Sequence, residues 1–208
     1  MTALRPGPAD PARRAILCLG ASTGGIAVLD RILPELPPDC PPTLVVQHIM
    51  GRFIDGLVRR LDGLCNARVV AATDGMPLRR GMIYFAPGSE VHLHIDPAAG
   101  GCCRLVEGPP RSGHRPSVDA LFHSAARQRR PVAAALLSGM GCDGADGLLA
   151  IRAAGGHTIV QDEASCTVYG MPRAAVALGA ADAALPPDRI AGALLAFALQ
   201  GAAARRAP

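Results

Sequence analysis

The sequence predicts a single doubly wound α/β domain: a mostly parallel sheet with helices on both faces. Short, continuous apolar runs alternate with helical segments, and such runs are typical of strands that are buried on both faces. An alternation of strand and helix is the pattern of a parallel sheet. The length of 208 residues suits one domain, and a hydrophobic content of 50% supplies its core.

The first elements follow a polar, Pro-rich N-terminal tail, residues 1–14. The apolar run Ala15–Leu19 predicts a strand, and a Gly-rich turn then opens a helix that ends near Leu33, before Pro34. The alternation continues with a strand over Thr43–Gln47, a helix near Arg52–Leu64 and a strand over Arg68–Ala72.

The segment near residues 81–107 departs from this alternation. It contains three short candidate strands, separated by Pro and Gly turns and without helices between them: Gly81–Ala86, Val91–Ile95 and Cys103–Glu107. We therefore expect a short antiparallel insert or sheet edge here.

The alternation then resumes to the end of the domain. The expected elements are a helix at Ser117–Arg129, a strand at Val132–Leu137, a helix at about Asp146–Ala154, a strand at Thr158–Gln161, and helices near Arg173–Leu178 and Arg189–Leu199. The domain should span residues 15–198, and residues 199–208 are expected to form a frayed C-terminal tail.

Composition excludes several classes of protein. All 21 basic residues are arginine, which removes phosphate-loop lysines, Schiff-base enzymes and pyridoxal attachment. The net charge of +4 is too small to indicate a nucleic-acid partner, and four Phe, two Tyr and no Trp argue against stacking platforms for single strands.

The cysteines and the most apolar stretch of the chain indicate the protein's environment. Seven cysteines show no zinc-like spacing and are interpreted as reduced residues of a cytoplasmic protein. The most apolar stretch, Ile190–Leu199, is roughly half as long as a membrane crossing. We expect a protein with no metal, no cofactor, no nucleic-acid partner and no membrane insertion, and a monomer is favoured over an oligomer.

Three predicted strand ends carry polar side chains. Ser22 lies in a Gly-rich turn after the first strand, His48 follows Gln47 at the end of the second, and Asp143 lies in the Gly-rich loop 138–144. Ligands and catalytic groups of doubly wound sheets lie at the carboxyl ends of strands. A hydroxyl, an imidazole and a carboxylate are together the parts of an acyl-transfer triad.

Each part also has a simpler interpretation. The turn Gly20-x-Ser22-x-Gly24 fits a nucleophile elbow and, equally well, a phosphate-binding turn at a helix N-terminus. An isolated histidine such as His48 is usually structural, and Asp143 could be a helix N-cap. His92 and His94 would share one face of a strand and could hold a metal, but the missing third ligand favours surface histidines.

The motifs resemble one known family. The chain reads ILCLGASTGG at Ile16–Gly25, VVQH at Val45–His48, YFAPG at Tyr84–Gly88, GHRPSVDALFHSAA at Gly113–Ala126, LLSGMGCDGADGLLAIRAAGG at Leu136–Gly156 and QDEASCTVYGMPRAA at Gln161–Ala175. These long motifs, in order over roughly residues 15–198, are similar to the catalytic domain of the chemotaxis protein-glutamate methylesterases, the CheB family.

The resemblance implies an activity and a site. It places the nucleophile at Ser22, the base at His48 and the triad acid at Asp143, and it implies that Thr23 and Met140 line the site and supply oxyanion donors. The implied reaction is hydrolysis of glutamyl methyl esters, with deamidation of glutamines as a second activity. The implied partner is the cytoplasmic helical bundle of a methylated chemoreceptor, and the process is chemotactic signal transduction.

The sequence departs from the family in three respects. Ile49-Met50-Gly51-Arg52 replaces a proline-containing run, and Cys142 stands where asparagine is common. Family members also usually carry an N-terminal receiver domain, whereas the first predicted strand begins near Ala15, so we expect a catalytic domain without one. The rival interpretations are a docking module that keeps the fold without turnover and a nucleotide-binding α/β domain.

Overall fold

The computed structural model describes residues 15–88, 90–97 and 101–203. Within them, seven parallel strands form one sheet, with the bounds β1 Ile16–Ala21, β2 Thr43–Gln47, β3 Arg68–Ala71, β4 Met82–Phe85, β7 Val132–Leu136, β8 His157–Gln161 and β9 Ala183–Leu185. Their order in the sheet is β3-β4-β2-β1-β7-β8-β9. The predicted doubly wound parallel sheet is confirmed.

Helices cover both faces of the sheet, and each face has its own apolar layer. The helices are α1 Gly25–Ile32, α2 Ile54–Asp62, α3 Val118–Ala126, α4 Ala145–Ala153, α5 Met171–Ala177 and α6 Pro187–Ala203. Helices α1, α2 and α6 pack on one face, and α3, α4 and α5 on the other. Because the sheet is covered on both sides, its central strands are buried, and all six residues of β1 are buried.

The antiparallel insert is a two-stranded hairpin, β5 (Val91–Asp96) and β6 (Cys102–Glu107). It packs on α3, where the backbone N–H of Ile95 donates to Oγ of Ser124 at 2.9 Å. The insert begins later than the sequence suggested, because β4 lies in the main sheet, parallel to both β2 and β3. The connection from β3 to β4 contains no helix, so the alternation that reveals the other parallel strands is missing there.

Strand β9 is a second difference, since no strand was expected after β8. It has only three residues and pairs with β8 at the sheet edge. Helix α6 extends to Ala203, into the segment expected to be a tail. The predicted tail 1–14 and residues 204–208 lie outside the described residues. No helix in the described part of the chain is long and apolar enough to span a membrane.

The register of the three central strands positions the candidate site. In β1, Gly20 lies opposite Val46 of β2 on one side and Leu136 of β7 on the other. The three strands therefore end at one edge, and Ser22, His48 and the loop after β7 emerge next to one another. The chain winds away from β1 in both directions, so this edge is the topological switch point at which doubly wound sheets bind ligands.

Candidate active site

Ser22 lies in a tight turn between β1 and α1. The N–H of Gly25 donates to the carbonyl of Ser22 at 2.8 Å and closes the turn. Gly24 has φ +81°, and a Cβ at this position would lie 2.5 Å from the side chain of Thr167. Only glycine combines this conformation with this space. The result is a strand–turn–helix elbow with a partly exposed serine, the geometry of a nucleophile elbow.

His48 follows β2 directly and is fixed at both its backbone and its ring. Its N–H donates to the carbonyl of Ala21, next to Ser22, at 2.9 Å. Its ring Nε2 lies 2.8 Å from Oδ2 of Asp143, and 9% of the side chain is exposed. The second ring nitrogen, Nδ1, is buried and has no hydrogen-bond partner among the described residues. His48 is therefore bonded to Asp143 but not to Ser22, although His48 and Ser22 line the same cleft.

Asp143 is buried and accepts four hydrogen bonds. Besides His48, the donors are Oγ of Ser117 at 2.7 Å, the N–H of Val118 at 2.7 Å and the N–H of Asp119 at 3.0 Å. Burial alone would raise the pKa of Asp143, but the hydrogen bonds from His48 and from the start of α3 outweigh it and lower the pKa. The carboxylate is therefore ionised at neutral pH, and the positive end of the α3 dipole stabilises it further.

The contacts of Asp143 do not fit the simpler interpretation, in which Asp143 caps the next helix, α4. Gly144 is the N-cap residue of α4, whereas Asp143 accepts from the first turn of α3. Ser117 is the N-cap of α3, with its Oγ accepting from Ala120 at 3.2 Å. Asp143 is thus held by a helix that begins 25 residues earlier in the chain.

Thr23 and Met140 lie on two loops that meet at Ser22. The Oγ of Ser138 donates to the carbonyl of Thr23 at 2.8 Å, and Ser22 N–H donates to the carbonyl of Ser138 at 3.0 Å. Met140 is 66% exposed. Within the described residues, the backbone N–H groups of Thr23 and Met140 donate no hydrogen bond.

Gln47 and His114 also contact the site residues, although the sequence motifs suggest no role for either. The Nε2 of Gln47 donates to the carbonyls of Ser22 at 3.0 Å and His48 at 3.1 Å, which ties the two segments together. The ring of His114 stacks on that of His48. Gln47 could have been identified from the sequence, because a polar residue at the end of an apolar strand is unusual. No local pattern in the sequence indicates the contact of His114 with His48.

The departures from the family pattern lie beside His48. Met50 and Phe53 are 57% and 47% exposed, and Arg52 lies over the Phe53 ring. Both apolar side chains line a cleft with His48 and His114. Cys142, the other departure, is exposed next to Asp143. The site therefore has a partly apolar rim.

The histidine pair of β5 does not form a metal site in this structure. His92 is buried rather than on the surface, and its two ring nitrogens are already bonded to the carbonyl of Pro109 at 3.0 Å and the N–H of Ser117 at 3.2 Å. Among the residues that the structure describes, no group of three or more His, Cys, Asp or Glu could hold a metal ion.

Taken together, these features define a doubly wound α/β domain with a serine elbow, a histidine and a buried aspartate at the carboxyl edge of its sheet. Residues 17–194 match the family model described as CheB methylesterase. The chain belongs to this family.

Curated relatives carry the name protein-glutamate methylesterase/protein-glutamine glutaminase. Similar examples are those of Rhizobium johnstonii (47% identity; 85% of this chain and 51% of the relative) and Cereibacter sphaeroides strain ATCC 17023 (51% identity; 93% and 53%). This chain spans about half the length of these relatives. The crystal structure of the Thermotoga maritima CheB methylesterase catalytic domain superposes with a TM-score of 0.84 at 36% identity, over 88% of this chain and 97% of that one.

Proposed function

We propose that this chain hydrolyses glutamyl methyl esters in proteins, with Ser22 as nucleophile, His48 as general base and Asp143 as the residue that orients the base. The observation that carries the proposal is the bond of 2.8 Å between His48 Nε2 and Asp143. It occupies one ring nitrogen and leaves Nδ1, which has no partner among the described residues, as the nitrogen that can accept the proton of Ser22. The names of the curated relatives support the same reaction.

Acylation begins with attack of Ser22 Oγ on the ester carbonyl carbon while His48 Nδ1 takes the hydroxyl proton. The charge that develops on the carbonyl oxygen is stabilised by hydrogen bonds from the N–H groups of Thr23 and Met140. The tetrahedral intermediate collapses, His48 returns the proton to the leaving oxygen, and methanol departs. A glutamyl ester of Ser22 remains.

Deacylation repeats the proton transfers with water as the nucleophile. His48 takes a proton from water as it attacks the glutamyl ester, and then protonates Ser22 Oγ as glutamate leaves. Asp143 stays ionised throughout and stabilises the imidazolium form of His48. Deamidation of a glutamine follows the same path, with ammonia as the leaving group in place of methanol.

The substrate that we propose is the methylated helical bundle of a chemoreceptor, and the reaction takes place in the cytoplasm as part of chemotactic signalling. The partly apolar rim formed by Met50 and Phe53 supports a protein substrate rather than a small polar ester. A docking module without turnover would not require the hydrogen-bonded His48–Asp143 pair.

The test is methanol release from a methylated receptor fragment, with ammonia release from an unmodified fragment measured in parallel. The wild-type chain should release both, and Ser22→Ala should release neither above background. Thr73→Ala is the matched control, because it removes an exposed hydroxyl after β3, and it should keep wild-type rates. Binding of the fragment without release by the wild-type chain would establish the docking module instead.

A further inference from the structure

The ring of His114 lies face to face with the ring of His48. Their centroids are 3.8 Å apart, and their planes differ by 11°. One face of the His48 imidazole is therefore covered by a second imidazole. The catalytic steps described above use no atom of His114.

A tight turn presents His114 to His48. The N–H of Arg111 donates to the carbonyl of His114 at 3.0 Å, and the N–H of His114 donates back to Arg111 at 2.9 Å. The two central residues, Ser112 and Gly113, have φ values of +51° and +79°. Positive φ at both positions is the signature of a type I′ turn. Ser112 is the one non-glycine residue with positive φ in the described part of the chain.

A buried carboxylate anchors this turn. Ser112 Oγ donates to Oδ2 of Asp119 at 2.8 Å, and Oδ1 of Asp119 accepts from the N–H of Gly147 in α4 at 2.8 Å. The N–H of Asp119 in turn donates to Asp143 at 3.0 Å. The turn is therefore tied to the same start of α3 that holds the carboxylate of Asp143.

We propose that the turn 111–114 positions the general base: the ring of His114 holds the ring of His48 so that Nε2 is directed at Asp143 and Nδ1 is left for Ser22. The hydrogen bond from Ser112 to Asp119 holds the turn in place. This inference rests on the proposed function, in which His48 is the base. His114 and Ser112 are positioning residues, since they act through His48.

The charge state of His114 suits this role. Burial lowers its pKa, the neighbouring His48 lowers it further, and Asp143 opposes both effects. Other charged groups at the turn are Arg111 within it, Asp119, which anchors Ser112, and Arg115, the next residue in the chain. Glu90 lies 3.3 Å from Arg115. A neutral His114 can remain stacked when His48 takes up the proton of Ser22, whereas two charged rings at this separation would repel each other.

The test compares His114→Ala, which removes the stack, with His114→Phe, which keeps a flat ring without ionisable nitrogens. Ser112→Ala removes only the anchor of the turn, and His123→Ala is the control, since that histidine pairs with Asp146 away from the cleft. The measurements are kcat and KM for methanol release, the rate at which a small sulfonyl fluoride labels Ser22, and the proton NMR signal of the His48–Asp143 hydrogen bond.

We expect His114→Ala to lower kcat and the labelling rate by about 10- to 100-fold with KM nearly unchanged, the scale of a misplaced catalytic group. The NMR signal should broaden or disappear in that variant. His114→Phe should keep most of both rates and the signal, Ser112→Ala should fall between the two, and His123→Ala should match the wild type. Thermal unfolding of each variant checks that it is folded.

Wild-type labelling in folded His114→Ala would overturn the inference, as would His114→Phe being as impaired as His114→Ala. If His114→Ala does not fold, the labelling rates of the other two variants test the inference. His114→Phe should keep most of the wild-type rate, and Ser112→Ala should be slower. Labelling does not depend on the physiological substrate. A wild-type chain that labels at Ser22 but releases no methanol would contradict the proposed function and still test the positioning role.

Discussion

Ser117 and Asp143 are joined by a hydrogen bond of 2.7 Å, so the residue that caps α3 also holds the carboxylate that contacts His48. The same Ser117 Oγ accepts from the N–H of Ala120 at 3.2 Å. The hydroxyl thus acts as donor on one side and acceptor on the other. Through this residue the beginning of α3 determines the position of Asp143, the proposed triad acid.

The first prediction concerns Asp143→Asn. We expect the rate of methanol release to fall by about ten- to a thousand-fold, the scale of general acid–base contributions, because the amide cannot stabilise the charged form of His48. All four partners of Asp143 are donors, so the amide NH₂ must face at least one of them, and the variant should lose about 1–3 kcal/mol of stability. Steady-state kinetics and urea unfolding measure the two effects.

Asp146→Asn is the matched control for that variant. It changes an exposed carboxylate in the first turn of α4 that pairs with His123. Its rate should equal that of the wild type. Near-wild-type activity in folded Asp143→Asn would remove Asp143 from the mechanism.

The second prediction is a pH dependence of stability. The folded-state pKa of Asp143 is lowered, because the hydrogen bonds outweigh the effect of burial, so its contribution to stability is fully present above the unfolded pKa of about 3.9. This contribution is lost as the pH falls through the lower, folded-state pKa. The difference in unfolding free energy between wild type and Asp143→Asn should therefore shrink below about pH 4. Urea titrations from neutral to acidic pH test this; a difference that stays constant over the whole range would contradict it.

The third prediction concerns the serine turn. Gly24→Ala should abolish most of the activity, because its Cβ would lie 2.5 Å from Thr167 and 2.9 Å from Oγ of Ser138. Gly75→Ala is the control, since Gly75 has φ +73° and nothing within 4 Å of the added Cβ. Both variants should lose about 1–2 kcal/mol for the left-handed backbone, but only Gly24→Ala should also lose activity. Equal activities in the two variants would show that the packing around Gly24 is irrelevant to the site.

The fourth prediction is that turnover needs no metal ion, because the proposed proton transfers use protein groups alone. Dialysis against a strong chelator should leave the rate of methanol release unchanged. A loss of activity that zinc restores would require a different mechanism.

Much of the fold was predictable because it depends on local signals, and the same signals suggested the three proposed triad residues. Apolar runs that end in Gly20, Gln47 and Leu137 mark buried strands, and the carboxyl ends of such strands indicate where polar residues can meet. The family motifs assigned the same residues. Strand β4 was assigned to the wrong part of the fold because its link to β3 lacks the helix that marks the other parallel crossovers.

The supporting contacts were not predictable, because they join segments that are far apart in the chain. Ser117 and Asp143 are 26 residues apart, and the hydrogen bond exists only because α3 begins beside the loop that follows β7. The stack of His114 on His48 likewise depends on the path of the turn 111–114 over the sheet edge. A single sequence contains no spacing rule for either contact.

The central claim, that His48 activates Ser22, is tested most directly by labelling with a small sulfonyl fluoride. The wild-type chain should be modified within the tryptic peptide of residues 15–31, which contains Ser22 as its one serine, and should lose methanol release in step with modification. His48→Gln should be labelled at least about a hundred-fold more slowly, the range of a general base. Equal labelling rates in folded His48→Gln and wild type, or modification at a different peptide, would contradict the account.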